Sequence, residues 1–112
     1  MIDVKLIRAN PDVLRHVIRQ RHVDPERANV DRWLEVDKGR RDLQRRLDSL
    51  NTEKKELARL GRTEPEAARE KGQQLRAKTR DIEHELSQLT QIWQDILDWF
   101  PNWPHAQMPE GA

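Results

Sequence analysis

The sequence predicts an all-α protein, a long antiparallel coiled-coil hairpin with a short N-terminal helix packed at its base, and three observations predict it. First, two apolar seams recur with alternating three- and four-residue spacing: Trp33, Val36, Arg40, Leu43, Leu47, Leu50, Lys54 and Leu57, then Leu75, Thr79, Ile82, Leu86, Leu89, Trp93, Ile96 and Phe100. Such spacing keeps one narrow stripe turned toward a partner helix, whereas a globular surface helix shows a broader apolar face. Second, the seams are separated by a short stretch interrupted by Gly61 and Pro65. Third, the seams agree in register, because Leu57 with Leu75, Leu50 with Ile82, Leu43 with Leu89 and Val36 with Ile96 have numbers of one constant sum. That agreement favours one chain folding back on itself over two helices seeking separate partners.

Each element has a local reason. Ile2, Val4, Leu6 and Ile7 form a short apolar stretch, and Asn10-Pro11-Asp12 then supplies an N-cap, a first-turn proline and an early acid, so a helix starts near Pro11. Val13, Leu14, Val17 and Ile18 recur at helical spacing, and this helix ends around Arg21. Asp24-Pro25-Glu26 repeats the start signal before the first arm, which runs from Asp31 to Leu60. Gly61 provides a left-handed residue to end it, and Thr63 with Glu66 provides a capping box for the second arm. That arm reaches Trp99 or Phe100, where Pro101 and Pro104 stop it. The whole chain, residues 1–112, reads as a single domain: 1–30 the N-terminal base, 31–60 the first arm helix, 61–63 the tip turn, 64–100 the second arm helix and 101–112 an exit linker.

Composition narrows the function classes. Of 112 residues 37% are charged and 4% aromatic, too little apolar material for a thick layered core. Cysteine is absent, which removes disulfides, thiolate zinc sites and cysteine nucleophiles together and suits a reducing compartment. The N-terminal stretch carries charges at Asp3 and Lys5, so it reads neither as a signal peptide nor as a membrane span, and a cytoplasmic location without membrane association is expected. His16, His22, His84 and His105 show no metal-ligand spacing, and no phosphate-cradling glycine loop or nucleophile-base pattern occurs. No catalytic residue, metal or cofactor is expected, and the chain by itself is not expected to be an enzyme. Trp33, Trp93, Trp99, Phe100 and Trp103 come together when the hairpin closes, and they read as a hydrophobic base against Val13, Leu14, Val17 and Ile18. The alternative, a stacking platform for nucleobases, sits poorly with the acids around them.

The net charge of +1 hides an uneven distribution. Between residues 54 and 80 stand Lys54, Lys55, Arg59, Arg62, Arg69, Lys71, Arg76, Lys78 and Arg80 against only Glu56, Glu64, Glu66 and Glu70, whereas from Asp81 onward there are acids and no base. A closed hairpin would therefore carry a basic tip. Ordinary solvated helix surface is the plain explanation, with Glu56, Glu66 and Glu70 pairing with neighbouring bases. Two functional interpretations compete beyond it: an arm that recognises nucleic-acid backbone, and a coiled coil that binds a protein partner or a second copy of itself.

The order of motifs resembles the N-terminal tRNA-binding arm of bacterial-type seryl-tRNA synthetases over essentially the whole chain. Met1-Ile2-Asp3-Val4-Lys5-Leu6-Ile7-Arg8-Ala9-Asn10-Pro11 is similar to that family's opening, Leu34-Glu35-Val36-Asp37 with Arg40-Arg41 to its lead into the arm, and Pro101-Asn102-Trp103-Pro104-His105 followed by Met108-Pro109-Glu110-Gly111 to its exit. The resemblance implies that the arm lies across the long variable arm and elbow of serine tRNA, reading shape and phosphates more than base edges. Basic side chains toward the tip suit that task, with Lys54, Lys55, Arg59, Arg62, Arg69, Arg76 and Arg80 as the candidate phosphate contacts. In the family a class II catalytic domain that binds ATP and serine follows the arm, so serine tRNA and that catalytic domain are the partners implied, beside a possible homodimer. The chain departs from the family where Glu53-Lys54-Lys55-Glu56-Leu57-Ala58-Arg59-Leu60-Gly61 replaces the Arg-Asn and Ser-Lys pairs usual before the tip, and where Trp103 replaces an aliphatic residue. The alternative reading is a stand-alone coiled-coil interaction module derived from that domain, with RNA binding lost or altered.

Overall fold

Periodicity at three and four residues with no strand-like alternation leaves helices as the regular elements, and the computed structural model, which describes residues 3–101, contains four. They are α1 (Val4–Ala9), α2 (Pro11–Gln20), α3 (Val30–Leu60) and α4 (Pro65–Leu97). The described residues form two compact units, one made of the chain up to Asp37 together with the part from Gln91 onward, the other of Lys38–Thr90. Trp103, Pro104, His105 and the remainder of the exit motif lie outside the described residues, as do Met1 and Ile2.

In the first unit the apolar stretch near the N-terminus is itself a helix. Asp3 caps α1 by accepting from the Lys5 amide at 2.9 Å, and Asn10 ends it by donating its backbone N–H to the Leu6 carbonyl. Six residues are too few to form a stable helix alone, which is why periodicity does not announce it. Burial of Ile7 and a side-chain contact from Arg8 hold it in place. Pro11 opens α2 as the sequence predicts, and Leu14, Val17 and Ile18 are its buried residues. His22 follows at φ 54°, the left-handed position that ends the turn.

The core of this unit gathers Ile7, Leu14, Ile18, Ala28, Val30, Trp33, Ile96 and Phe100. Trp33 lies at its centre, with ring centroids 5.7 Å from Trp93 and 6.1 Å from Phe100, the latter edge-on. The expected aromatic base is thus present in Trp33, Trp93 and Phe100. Trp99 departs from it: its side chain is largely exposed, with the Arg27 guanidinium over the ring at 4.7 Å. The reason is the end of α4 at Leu97, where a turn through Asp98 and Trp99 delivers Phe100 into the core and leaves Trp99 outside.

In the second unit α3 and α4 pack as a hairpin along the predicted seam. Leu43, Leu50, Leu75 and Thr79 are buried, and Leu47, Leu57, Ile82, Leu86 and Leu89 are half-buried. The antiparallel register shows in close approaches on both sides of the seam: Gly39 opposite Leu89, the Arg40 Nε donating to Thr90 Oγ1 at 3.0 Å, Leu57 beside Gly72 and Gly61 beside Ala68. Thr79, a polar residue in the seam, is satisfied by its own helix, since its hydroxyl donates to the Leu75 carbonyl at 2.7 Å.

The turn between the helices uses other chemistry than the sequence suggests. Gly61 is not left-handed; its amide continues the helical ladder to the Leu57 carbonyl, and Arg62 and Thr63 tighten the end with bonds to Arg59 and Leu60. Thr63 does not cap α4. Its hydroxyl donates backward to the Leu60 carbonyl at 3.2 Å, Glu64 precedes the first helical residue, and Pro65 takes the N1 position where a missing N–H costs nothing. A Cβ at Gly61 would make an ordinary 3.6 Å contact with the Ala68 Cβ, so close approach does not require glycine there.

Candidate nucleic-acid interface

An arm that binds phosphates needs bases that are exposed, that face one way and that are not already neutralised by carboxylates. The second unit meets them in part. Lys54 is half-buried and Lys55, Arg59, Arg62, Arg69, Arg76 and Arg80 are exposed. None of these seven pairs with a carboxylate among the described residues, so the neutralising helix-surface pairs of Glu56, Glu66 and Glu70 are not formed.

Their distribution follows from helix geometry. A shallow groove on one flank of the hairpin is lined by Lys54, Arg69 and Arg76, with Ala58, Gly61, Ala68 and Gly72 among its other walls. Arg69 and Arg76 stand two turns apart on α4, about 10.5 Å at 1.5 Å per residue, and Arg80 follows one turn later on the same stripe. Lys55, Arg59 and Arg62 are spaced by four and three on α3, and each lies one position past a groove residue, turned further from the seam. Lys54, Arg69, Arg76 and Arg80 therefore share one flank, and Lys55, Arg59 and Arg62 lie on the outer face of α3, turned away from α4.

The opposite flank differs in kind. Glu53 and Glu56 from α3 and Lys71 and Lys78 from α4 line a second groove with Leu57, Leu60 and Leu75. The two bases of the tip region that stand outside the set of seven are the ones found here. Sequence reading sees a basic segment but not this division, because charges are counted along the chain while flanks are set by rotation about each helix. It also missed the small residues. Ala58 with Gly61, and Ala68 with Gly72, are spaced by three and four, the one signal that could have shown a strip where the helix backbone is approachable.

A second polar constellation lies in the first unit. Asp37 is fully buried and accepts two parallel hydrogen bonds from Arg8, Nε to Oδ2 and Nη2 to Oδ1, both 2.8 Å, and a third from Trp93 Nε1 at 3.1 Å. The Arg8 pKa is raised because Asp37 accepts from its guanidinium, against a smaller opposing effect of lost solvation. Arg15 is raised likewise by its bonds to Asp12 and Asp31, but those carboxylates are solvent-exposed. Asp37 is structural: its capacity is filled by its own fold. Among the described residues no group of three or more His, Asp or Glu side chains is placed to hold a metal ion, and no helix is long and apolar enough to cross a membrane.

Comparison with known proteins gives a consistent result. The profile of the seryl-tRNA synthetase N-terminal domain matches residues 1–104. A serine-tRNA ligase of Dehalococcoides mccartyi is 37% identical over 111 residues, covering 99% of this chain and 25% of the ligase. Those of Chlorobaculum parvum, 31% identical, and Dictyoglomus turgidum, 30% identical, each cover 99% of this chain, and 28% and 27% of their own length are matched. This chain thus spans about a quarter of the length of the ligases it matches. No solved structure matches it.

Proposed function

The chain belongs to the seryl-tRNA synthetase N-terminal domain family, and from that premise we propose that its α3/α4 hairpin binds serine tRNA in the cytoplasm, across the long variable arm and elbow. The observation that carries the reading is the groove lined by Lys54, Arg69 and Arg76, with Lys55, Arg59, Arg62 and Arg80 outside it, all seven without carboxylate partners among the described residues. Arg69 and Arg76 with Lys54 supply charge beside a floor of alanine and glycine, so a phosphate backbone can come close to the helices before meeting a side chain. Arg80 continues the α4 stripe, and Lys55, Arg59 and Arg62 carry positive charge onto the outer face of α3. Contacts of this kind fix orientation and shape and carry little base identity, which suits recognition of an RNA by an arm it possesses and others lack.

The ligation of serine is a property of the whole ligases; this segment contributes the positioning of their RNA. The test is a titration of labelled serine tRNA and of a tRNA with a short variable arm, each at two salt concentrations. The long-armed tRNA should bind more tightly, and its affinity should fall with salt by about one unit of log-log slope per phosphate contact. Equal and negligible binding of the two would overturn the proposal.

A further inference from the structure

Residues seven apart return to the same side of a supercoiled helix, so the exposed charges of the second unit can be followed as stripes. On α4, Arg69 and Arg76 stand one such interval apart, and the next position of their stripe is Glu83. Counting back from the turn along α3, Arg62 and Lys55 are followed at the same interval by Asp48. Both changes of sign fall at one height. The register set by Gly39 against Leu89 and by Arg40 with Thr90 puts Arg62 level with Arg69, Lys55 with Arg76 and Asp48 with Glu83, each to within less than a turn of about 5.4 Å. The hairpin thus carries two basic rungs about 10.5 Å apart, then a third that is acidic. Asp48 and Glu83 are exposed, and neither pairs with a base among the described residues. Arg45, beside Asp48, is bonded at 3.2 Å to Asp42 instead. The Asp48 carboxylate accepts from Gln44 Nε2, a neutral donor, at 3.2 Å and so keeps its charge.

We propose that Asp48 and Glu83 are specificity-determining residues, an acidic boundary that repels the phosphate backbone and confines it to the two basic rungs near the turn. This rests on the reading of the hairpin as a binder of serine tRNA. A backbone running along either stripe from the turn meets a fixed charge of its own sign one interval past Arg76 or Lys55, a spacing comparable to the screening length of about 8 Å at physiological salt. Beyond the boundary α3 carries further exposed bases, Lys38, Arg41 and Arg45. Neutral or basic residues at the third rung would join these to the tip in one long stripe, and such a stripe attracts any nucleic-acid backbone. The acids penalise that extended mode without weakening the contacts at the tip, which is how a repulsive element turns general attraction into discrimination.

The experiment is a fluorescence titration of labelled serine tRNA and of a tRNA with a short variable arm over a salt series, with circular dichroism confirming unchanged helicity in each variant of the chain. Asp48→Asn with Glu83→Gln should bind both tRNAs about two- to fivefold more tightly, the range over which exposed charges act. The short-armed tRNA should gain more, so the ratio of the two affinities narrows. Asp48→Lys with Glu83→Lys should steepen the salt dependence by about two units of log-log slope, one for each new phosphate contact. Glu53→Gln with Asp81→Asn removes the same charge from the mixed-charge flank and should behave as the wild type. A wild type that binds serine tRNA, with boundary variants that match it or match the Glu53 and Asp81 control, would overturn this inference alone. A wild type that binds neither tRNA would overturn the reading of the hairpin as an RNA arm, and the boundary with it.

Discussion

The Arg8 guanidinium grips the Asp37 carboxylate through two hydrogen bonds of 2.8 Å, and thereby fastens a six-residue helix to the first turns of α3. Asp37 is 0% exposed while the Arg8 side chain keeps 32%, so the carboxylate relies on partners within the protein, Arg8 and Trp93 among them, in place of water. Removing one partner of a buried pair leaves an uncompensated charge, and Arg8→Ala, which strips the buried Asp37 of its guanidinium, should cost about 3 to 5 kcal/mol. Arg15 forms equally close pairs at the surface, yet Arg15→Ala should cost less than about 1 kcal/mol because both of its carboxylates are solvated. Urea unfolding of the two variants measures the difference.

The pH dependence of the pair has a definite sign. Arg8 has its pKa raised on folding, so its contribution is complete below the unfolded value and is lost only as pH climbs through the folded one, on the strongly alkaline side. Mildly alkaline conditions should therefore leave it intact. In Arg8→Lys the group titrates near about 10.4 in the unfolded chain, and the loss should begin at lower pH than in the wild type. Unfolding midpoints followed from neutral to alkaline pH in both proteins check this.

Trp33 and Trp93 share a stack but differ in what their N–H groups do. Trp93 Nε1 donates to Asp37, whereas Trp33 Nε1 is buried without a partner among the described residues. Trp93→Phe and Asp37→Asn should be coupled in a double-mutant cycle by about 1 kcal/mol or more, and Trp33→Phe with Asp37→Asn by less than about 0.5 kcal/mol. Similar coupling for both tryptophans would contradict the assignment of the hydrogen bond.

Gly39 and Gly72 both lie inside helices, where alanine is favoured by about 0.5 to 1 kcal/mol. A Cβ at Gly72 would make an ordinary 3.5 Å contact with Leu57, so Gly72→Ala should gain that amount. At Gly39 the new carbon would lie 3.2 Å from Leu89 Cδ1, which must give way, and Gly39→Ala should gain less. The two urea midpoints should rank accordingly.

The flank assignment predicts unequal roles for neighbouring bases. Arg69→Ala and Arg76→Ala should each weaken tRNA binding and reduce its salt slope by about one, while Lys71→Ala and Lys78→Ala should leave the slope unchanged. Fluorescence titrations of the four variants over a salt series provide the check. Equal losses in all four would mean that net charge, and not the flank, governs binding.

How much of this was legible beforehand depends on the distance over which each feature is decided. The start of α2 at Pro11 and the end of α3 at Leu60 follow from neighbours within a turn or two, and both are placed where local signals put them. Gly61 and Thr63 also carry local signals, yet Gly61 continues the helical ladder to Leu57 and the Thr63 hydroxyl bonds back to Leu60. The motifs at both ends of the Arg8-Asp37 pair are visible in the sequence, but nothing in either says that they meet across 29 positions.

By itself the sequence determined that two long helices form, that they pair antiparallel and in which register, because apolar periodicity is a property of each helix and register only requires that two periodicities coincide. Tertiary structure alone decided that α1 is a helix, that Asp37 is buried and satisfied, and that Lys54, Arg69 and Arg76 line a groove opposite a mixed-charge one. Those outcomes depend on which surfaces remain in water once the helices have packed, and burial of that kind is settled only when residues far apart in the chain come together.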